Sequence, residues 1–195
     1  MAVQVRVNVA LLVIALSCCA GHAASVPPSE TTLCDLAAWV MKDAPADLAV
    51  RAGPGAEYPA VATVPGPYSD GEETYFPEVK ITGSREGWFR ITEITVDLYG
   101  GLPTDPVTTF SGEGWLPGNV LRLWVESGHL WSQPSHDARI AFTFEAASHA
   151  DHDYFRLDTL HACQGFWIEV EGSYHDKRPR GWTDDICASQ VTTCP

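Results

Sequence analysis

The sequence predicts an all-β protein built from two small units in tandem, each a β-barrel or sandwich. Three observations predict it. Short β-type runs alternate with Gly, Pro, Asp and Ser clusters along the whole chain after its first segment. No long stretch carries helical periodicity beyond that segment. A pattern of tryptophans, glycines and prolines occurs twice, which is the mark of a duplicated unit.

The first segment stands apart from the fold. Residues 1–24 carry one positive charge, Arg6, then an apolar run from Val7 to Leu16, then small residues with Gly21 and Ala23 before a cleavage point. This is the layout of a secretory signal peptide. The run is shorter than the ~20 apolar residues a membrane span needs, and no second run of that length follows. The expectation is an exported, soluble protein, secreted or periplasmic, with no membrane span. Cys18 and Cys19 lie inside the signal and fit a lipid-anchoring pattern poorly, so simple cleavage after Ala23 or Ala24 is preferred.

Charge narrows the partners. The chain has 12 Lys+Arg against 25 Asp+Glu. Loss of the signal removes Arg6 alone, taking the net charge from −13 to −14. Such a surface repels phosphate backbones and anionic lipid, which argues against nucleic acid and membrane surfaces as partners. Solubility is the first reading of the acidity; attraction to a cationic partner or an ammonium group is the second.

Four cysteines remain after the signal: Cys34, Cys163, Cys187 and Cys194. An even number in an exported chain reads as disulfides. Three pairings are possible and the sequence does not choose. In one of them Cys163–Cys187 staples one unit while Cys34–Cys194 ties the ends.

Residues 25–32 form a polar entry segment. The strand-like runs that follow include 36–41, 60–64, 78–82, 88–91, 104–109, 119–125, 139–144, 154–160 and 167–171. The repeat aligns Leu48-Ala-Val-Arg-Ala-Gly-Pro-Gly55 with Gly128-His-Leu-Trp-Ser-Gln-Pro-Ser135, Gly87-Trp88 with Phe166-Trp167, and Gly114-Trp115 with Gly181-Trp182. The interval from Pro54 to Pro134 nearly equals that from Trp88 to Trp167, whereas that from Trp115 to Trp182 is shorter. The first unit therefore carries 12 extra residues between its tryptophans, read as an enlarged hairpin loop around 99–106. The units are placed at 32–125 and 128–195, with the boundary near Glu126-Ser-Gly128. Each is small enough that its own core is limited, so packing of two units and disulfides would offset that.

The segment Leu48-Ala-Val-Arg-Ala-Gly-Pro-Gly-Ala-Glu-Tyr58, with Gly87-Trp88-Phe-Arg-Ile91 and Gly112-Glu-Gly-Trp115-Leu116, resembles the bacterial SH3 (SH3b) domain family. The second unit keeps the Trp pair and the Gly-Trp turn. It has Trp131-Ser-Gln-Pro134 for the Arg-x-Gly-Pro start and Thr183 for the apolar residue after Gly-Trp. The chain as a whole also resembles small exported bacterial proteins. The resemblance implies two SH3-like small β-barrels and a binding role, toward peptidoglycan or a short peptide. The grip it implies is a groove beside the first loop, with Arg51, Tyr58, Tyr68 and Tyr75 as ligand-binding residues and Phe76 nearby. Gly53 and Gly55 are expected to take backbone angles closed to other residues, and Arg51 to hold carbonyls or a carboxylate across the loop.

The function expected is that of a non-catalytic exported binding module for peptidoglycan or an envelope peptide, without a cofactor. The alternative is an interaction or inhibitor module for an exported protein partner, and a cell-wall enzyme comes third. A Cys–His nucleophile at Cys163 or Cys187 would need a free thiolate, which disulfides deny. His149, His152 and Asp153, with His161 further on, offer metal donors at a spacing that arises often by chance, so a solvated loop and no metal is preferred. Trp88, Trp115, Trp167 and Trp182 are expected in the cores. Trp124 and Trp131 are expected between the barrels, and Trp39 lies outside the repeat. Lys177-Arg178-Pro179-Arg180 reads as a solvated hairpin tip, with an anion contact as the minor alternative.

Overall fold

The structure is a computed structural model that describes residues 30–69, 74–96, 106–144 and 155–190. Among these residues the protein is all-β, apart from one 3₁₀ turn at Gly118–Val120. The first half holds β1 (Thr32–Val40), β2 (Ala49–Arg51), β3 (Ala60–Thr63), β4 (Tyr68–Ser69), β5 (Thr74–Tyr75), β6 (Glu78–Arg85), β7 (Trp88–Val96) and β8 (Val107–Pro117). After the 3₁₀ turn come β9 (Leu121–Arg122) and β10 (Trp124–Val125). The second half holds β11 (His129–Trp131), β12 (Ile140–Thr143), β13 (Phe155–Gln164), β14 (Trp167–Tyr174), β15 (Arg180–Thr183) and β16 (Ile186–Cys187).

The internal repeat is written into the hydrogen bonding. One sheet has the order β3-β2-β8-β7-β6-β1-β9 and the other β12-β11-β15-β14-β13. The second is the first without β1 and β9. Both first hairpins carry a bulge at the same place, Val50/Arg51 and Leu130/Trp131. Four loop bonds recur at equivalent positions of the two units. Ala52 N–H donates to Pro59 O and Ser132 N–H to Arg139 O; Gly55 to Gly53 and Ser135 to Gln133; Tyr58 to Gly55 and Ala138 to Ser135; Val64 to Leu48 and Phe144 to Gly128.

The two sheets share one core. Period-two burial puts Phe89 and Ile91 of β7 and Ile168 and Val170 of β14 inside, and a bulge at Ile91/Glu93 moves the next inward residue of β7 to Ile94. In β13 the buried residues Leu157, Leu160 and Cys163 fall every third position, because bulges at Leu157/Thr159 and Leu160/Ala162 each add a residue. All of these belong to one contiguous cluster with Leu36, Ala38, Leu116 and Leu130. Each fully buried side chain of this size contributes about 1.5–3 kcal/mol. The approach is close at Gly118, where any Cβ would run into the Leu160 carbonyl oxygen.

β1 explains why the sheets fuse. It lies outside the repeat, pairs with β6, and forms a parallel bridge from Cys34 to Gly165 of the second sheet's hairpin. A disulfide joins Cys34 to Cys163 with the Cα atoms 5.8 Å apart. The pairing that places Cys163 with Cys187 is thereby corrected: strand β1, which the repeat does not predict, brings Cys34 beside Cys163. Cys187 is disulfide-bonded as well, and Cys194 lies outside the described residues. The expected linker is a tight corner. Ser127, buried, donates its hydroxyl to His129 O and accepts His129 N–H. β10 before that corner pairs with β16 at the far end of the second half.

Trp115 is buried, as expected of a core residue, but Trp88, Trp167 and Trp182 are only half-buried. Their strands alternate, and the neighbours Phe89 and Ile168 take the inward positions. Trp124 does lie at the junction: its ring packs on Trp39 at 5.4 Å and its indole N–H donates to Ser189 O. Trp131 does not, and belongs to the cluster described next. Thr183, in an apolar position of the repeat, is fully buried with its hydroxyl accepting Asp185 N–H. The enlarged hairpin loop falls largely on residues 97–105, outside the described residues, although β7 and β8 are longer than β14 and β15.

Candidate ligand-binding surface

In the first unit the four predicted residues form two pairs on two hairpins. Arg51, half-buried at the end of β2, donates from Nη1 to Tyr58 O across the first loop at 3.2 Å. The Tyr58 ring lies where a Cβ on Gly53 would stand. That close approach is why Gly53 is needed. Neither Gly53 nor Gly55 has a positive φ, so the expected backbone freedom is not their role. Tyr68 and Tyr75 pair directly across β4–β5, with rings stacked at 6.5 Å and 18°. Tyr75 is buried and Tyr68 half-buried. Behind this hairpin a cavity of about 260 Å³ is lined by Met41, Leu48, Val64, Pro67, Phe76 and Pro77. Gln190 pins its rim, accepting Phe76 N–H at 2.9 Å and donating to Phe76 O at 2.8 Å.

The same three-strand row carries different chemistry in the two units. In the first, Arg51, Trp115 and Arg90 lie side by side across β2, β8 and β7. In the second, Trp131, Trp182 and Glu169 lie side by side across β11, β15 and β14. Arg180 grips Glu169 with two bonds, at 2.9 and 3.1 Å. Arg90 is held by Thr82 through Nε and Nη2.

Beside the second row sits a cluster that the sequence does not single out. The Trp131 and Trp167 rings meet edge-on at 5.5 Å and 89°. His136 returns from the 132–139 loop to lie 5.0 Å from Trp131 and 4.7 Å from Trp167. Its Nε2 is 3.0 Å from Asp184 Oδ1. The three aromatic residues all keep part of their surface in solvent. Trp131 is read from sequence as inter-barrel packing and Trp167 as core, while His136 draws no attention. The signal that finds it is the repeat itself: His136 falls at the position that Ala56 holds in the first unit, and Trp131 at that of Arg51.

Several other polar groups are engaged. His161 Nε2 lies 2.9 Å from Glu171 Oε2. Arg178 reaches Asp158 at 3.1 Å and Glu171 at 3.4 Å. The hydrogen bond to His161, then that to Arg178, holds the Glu171 carboxyl below the ordinary carboxylate range against the opposing cost of burial. Of the basic run, Arg178 and Arg180 are thus paired with the chain's own acids. Among the described residues no group of three His, Cys, Asp or Glu is placed to hold a metal; His149, His152 and Asp153 lie outside them. Cys163 and Cys187 are disulfide-bonded, so neither is a thiolate. No described helix is long and apolar enough to cross a membrane. A disulfide of this kind persists in an oxidising compartment.

No protein-family model, no curated protein and no solved structure matches the chain.

Proposed function

We propose that this chain is an exported, non-catalytic binding protein of two SH3-like barrels in tandem, which holds peptidoglycan or a short peptide of the cell envelope. The observation that carries this reading is the half-exposed Trp131–His136–Trp167 cluster beside the first loop of the second unit. Rings that stay partly in solvent, next to a hydrogen-bonded loop, supply large contact area at little entropic cost. The equivalent loop of the first unit, braced by Arg51 and Tyr58, supports a second contact surface at the matching place in the repeat. The disulfides support secretion or a periplasmic location.

The test is a pull-down of the oxidised protein without residues 1–24 on purified peptidoglycan sacculi, with Tyr58→Ala and Trp167→Ala alongside. Binding that falls in either variant supports the reading and assigns the unit responsible. Sacculi that retain none of the three proteins remove peptidoglycan from it.

A protein partner is the second reading. Leu33 and Phe166 are 66% and 70% exposed and flank the Cys34–Gly165 bridge. Exposed apolar side chains of this size, close together, mark interaction surfaces. Loss of a stoichiometric partner from culture supernatant or periplasm on Phe166→Asp would favour it; identical recovery with both proteins would count against it.

A further inference from the structure

The three rings of the second unit are not equivalent. Trp131 and Trp167 belong to strands and make a two-walled corner at 89°. His136 belongs to the loop, and its side chain is 63% exposed. Its imidazole nevertheless lies within 5.0 Å of both indole centroids, with Asp184 at 3.0 Å. Two indole rings and a carboxylate are the groups that hold an organic cation: the ring quadrupoles attract it and the carboxylate accepts its N–H groups. His136 stands where that cation would stand.

We propose that Trp131, Trp167 and Asp184 form a binding site for the side-chain ammonium of a lysine in a peptide ligand, and that His136 fills this site in the free protein until the ligand displaces it. The inference rests on the reading of the chain as a peptide-binding module and names the group recognised. Charge complementarity argues for this occupant. The chain carries a net charge of −13. The nearby Glu169 is already neutralised by Arg180, which leaves Asp184 as the carboxylate facing the corner. Displacement leaves the loop intact, because its backbone is held by its own bonds, Ser132 to Arg139, Ser135 to Gln133 and Ala138 to Ser135. Only the His136 side chain has to turn. The first unit has no such site: Arg51 replaces Trp131 and would repel an ammonium, and Ala56 replaces His136. One site per chain is therefore expected.

The test is an NMR titration of the oxidised protein with N-acetyl-lysine N-methylamide. N-acetyl-norleucine N-methylamide serves as the probe of similar shape without the charge. Binding of the lysine probe at one site, about tenfold tighter than the norleucine probe, is expected from a desolvated cation–π contact with a carboxylate. His136→Ala should tighten it, and Trp167→Ala or Asp184→Asn should weaken it about tenfold. At saturation the His136 ring signals should leave their ring-current-shifted positions. Equal affinity for the two probes overturns the proposal. So does weaker binding by His136→Ala, or His136 signals that do not move while the probe binds. The His136 signals are read on the unmutated protein, so this outcome stands whether or not any variant folds. Sacculus or peptide binding that survives saturating lysine probe overturns the ammonium site and leaves the binding role standing. Absence of sacculus binding together with one-site lysine binding removes peptidoglycan and keeps the ammonium site.

Discussion

Ser84 and Cys163 come from different sheets, yet the Ser84 hydroxyl oxygen accepts the Cys163 backbone N–H at 2.8 Å and lies 3.4 Å from the Cys163 carbonyl. Ser84 is 1% exposed and also meets the Thr32 hydroxyl at 2.9 Å. One small side chain thus satisfies a buried backbone donor at the seam between β6, β1 and β13. Ser84→Ala leaves that donor without its partner. The expected cost is about 1–3 kcal/mol, read as a lower denaturant midpoint with the disulfides intact.

The same seam forbids a side chain at position 118. A Cβ on Gly118 meets the Leu160 carbonyl and the Phe89 ring, and the carbonyl belongs to backbone that cannot turn aside. Gly118→Ala should destabilise the protein by about 1–3 kcal/mol. Gly128 has nothing within 4 Å of the corresponding position, so Gly128→Ala is the matched control and should change stability little. Equal effects on thermal midpoint would contradict the close approach of the two sheets.

The Cys34–Cys163 bond spans 129 residues. In the chain-entropy account a loop of that size is worth about 4–5 kcal/mol. The double variant Cys34→Ser, Cys163→Ser should lose stability of that order. Because one core serves both sheets, calorimetry should still record a single unfolding transition. Two resolved transitions would show that the units fold independently.

Glu171 gives the fold an acid dependence. Its carboxyl is held below the ordinary range, first by the bond to His161. A group whose folded value is depressed stabilises the protein above its unfolded value, near pH ~4.3 for a glutamate. That contribution is lost as pH falls through the folded value. Glu171→Gln should therefore be less stable than the parent at neutral pH, and the gap should narrow as pH falls below about 4. Denaturant midpoints measured from neutral pH downward check the sign.

Much of the fold is legible in the sequence because it is encoded locally and twice. The Pro54/Pro134 and Trp115/Trp182 spacings mark hairpins whose bonds recur from one unit to the next, and alternation marks β7 and β14. β1 is the exception. Its residues read as a strand, but nothing local says that it pairs with β6 and bridges to Gly165, so the Cys34–Cys163 bond and the shared core stay hidden. Tryptophans are misread for a related reason. Trp167 and Ile168 are both apolar, and only the position of β14 against the core decides that Ile168 goes in and Trp167 stays half out. His136 escapes notice because a loop histidine gains meaning only when the chain folds back over Trp131.

Within the closed circuit from Cys34 to Cys163 lies every strand of the first sheet, apart from the start of β1. A pull on the two ends of the chain would pass from sulfur to sulfur and reach that sheet only through Thr32 and Leu33 at the start of β1. Under tension the first unit is a sheltered passenger, and the load falls on β14, β15 and β16. For a protein tethered between two surfaces, the second unit is the one that would give way first.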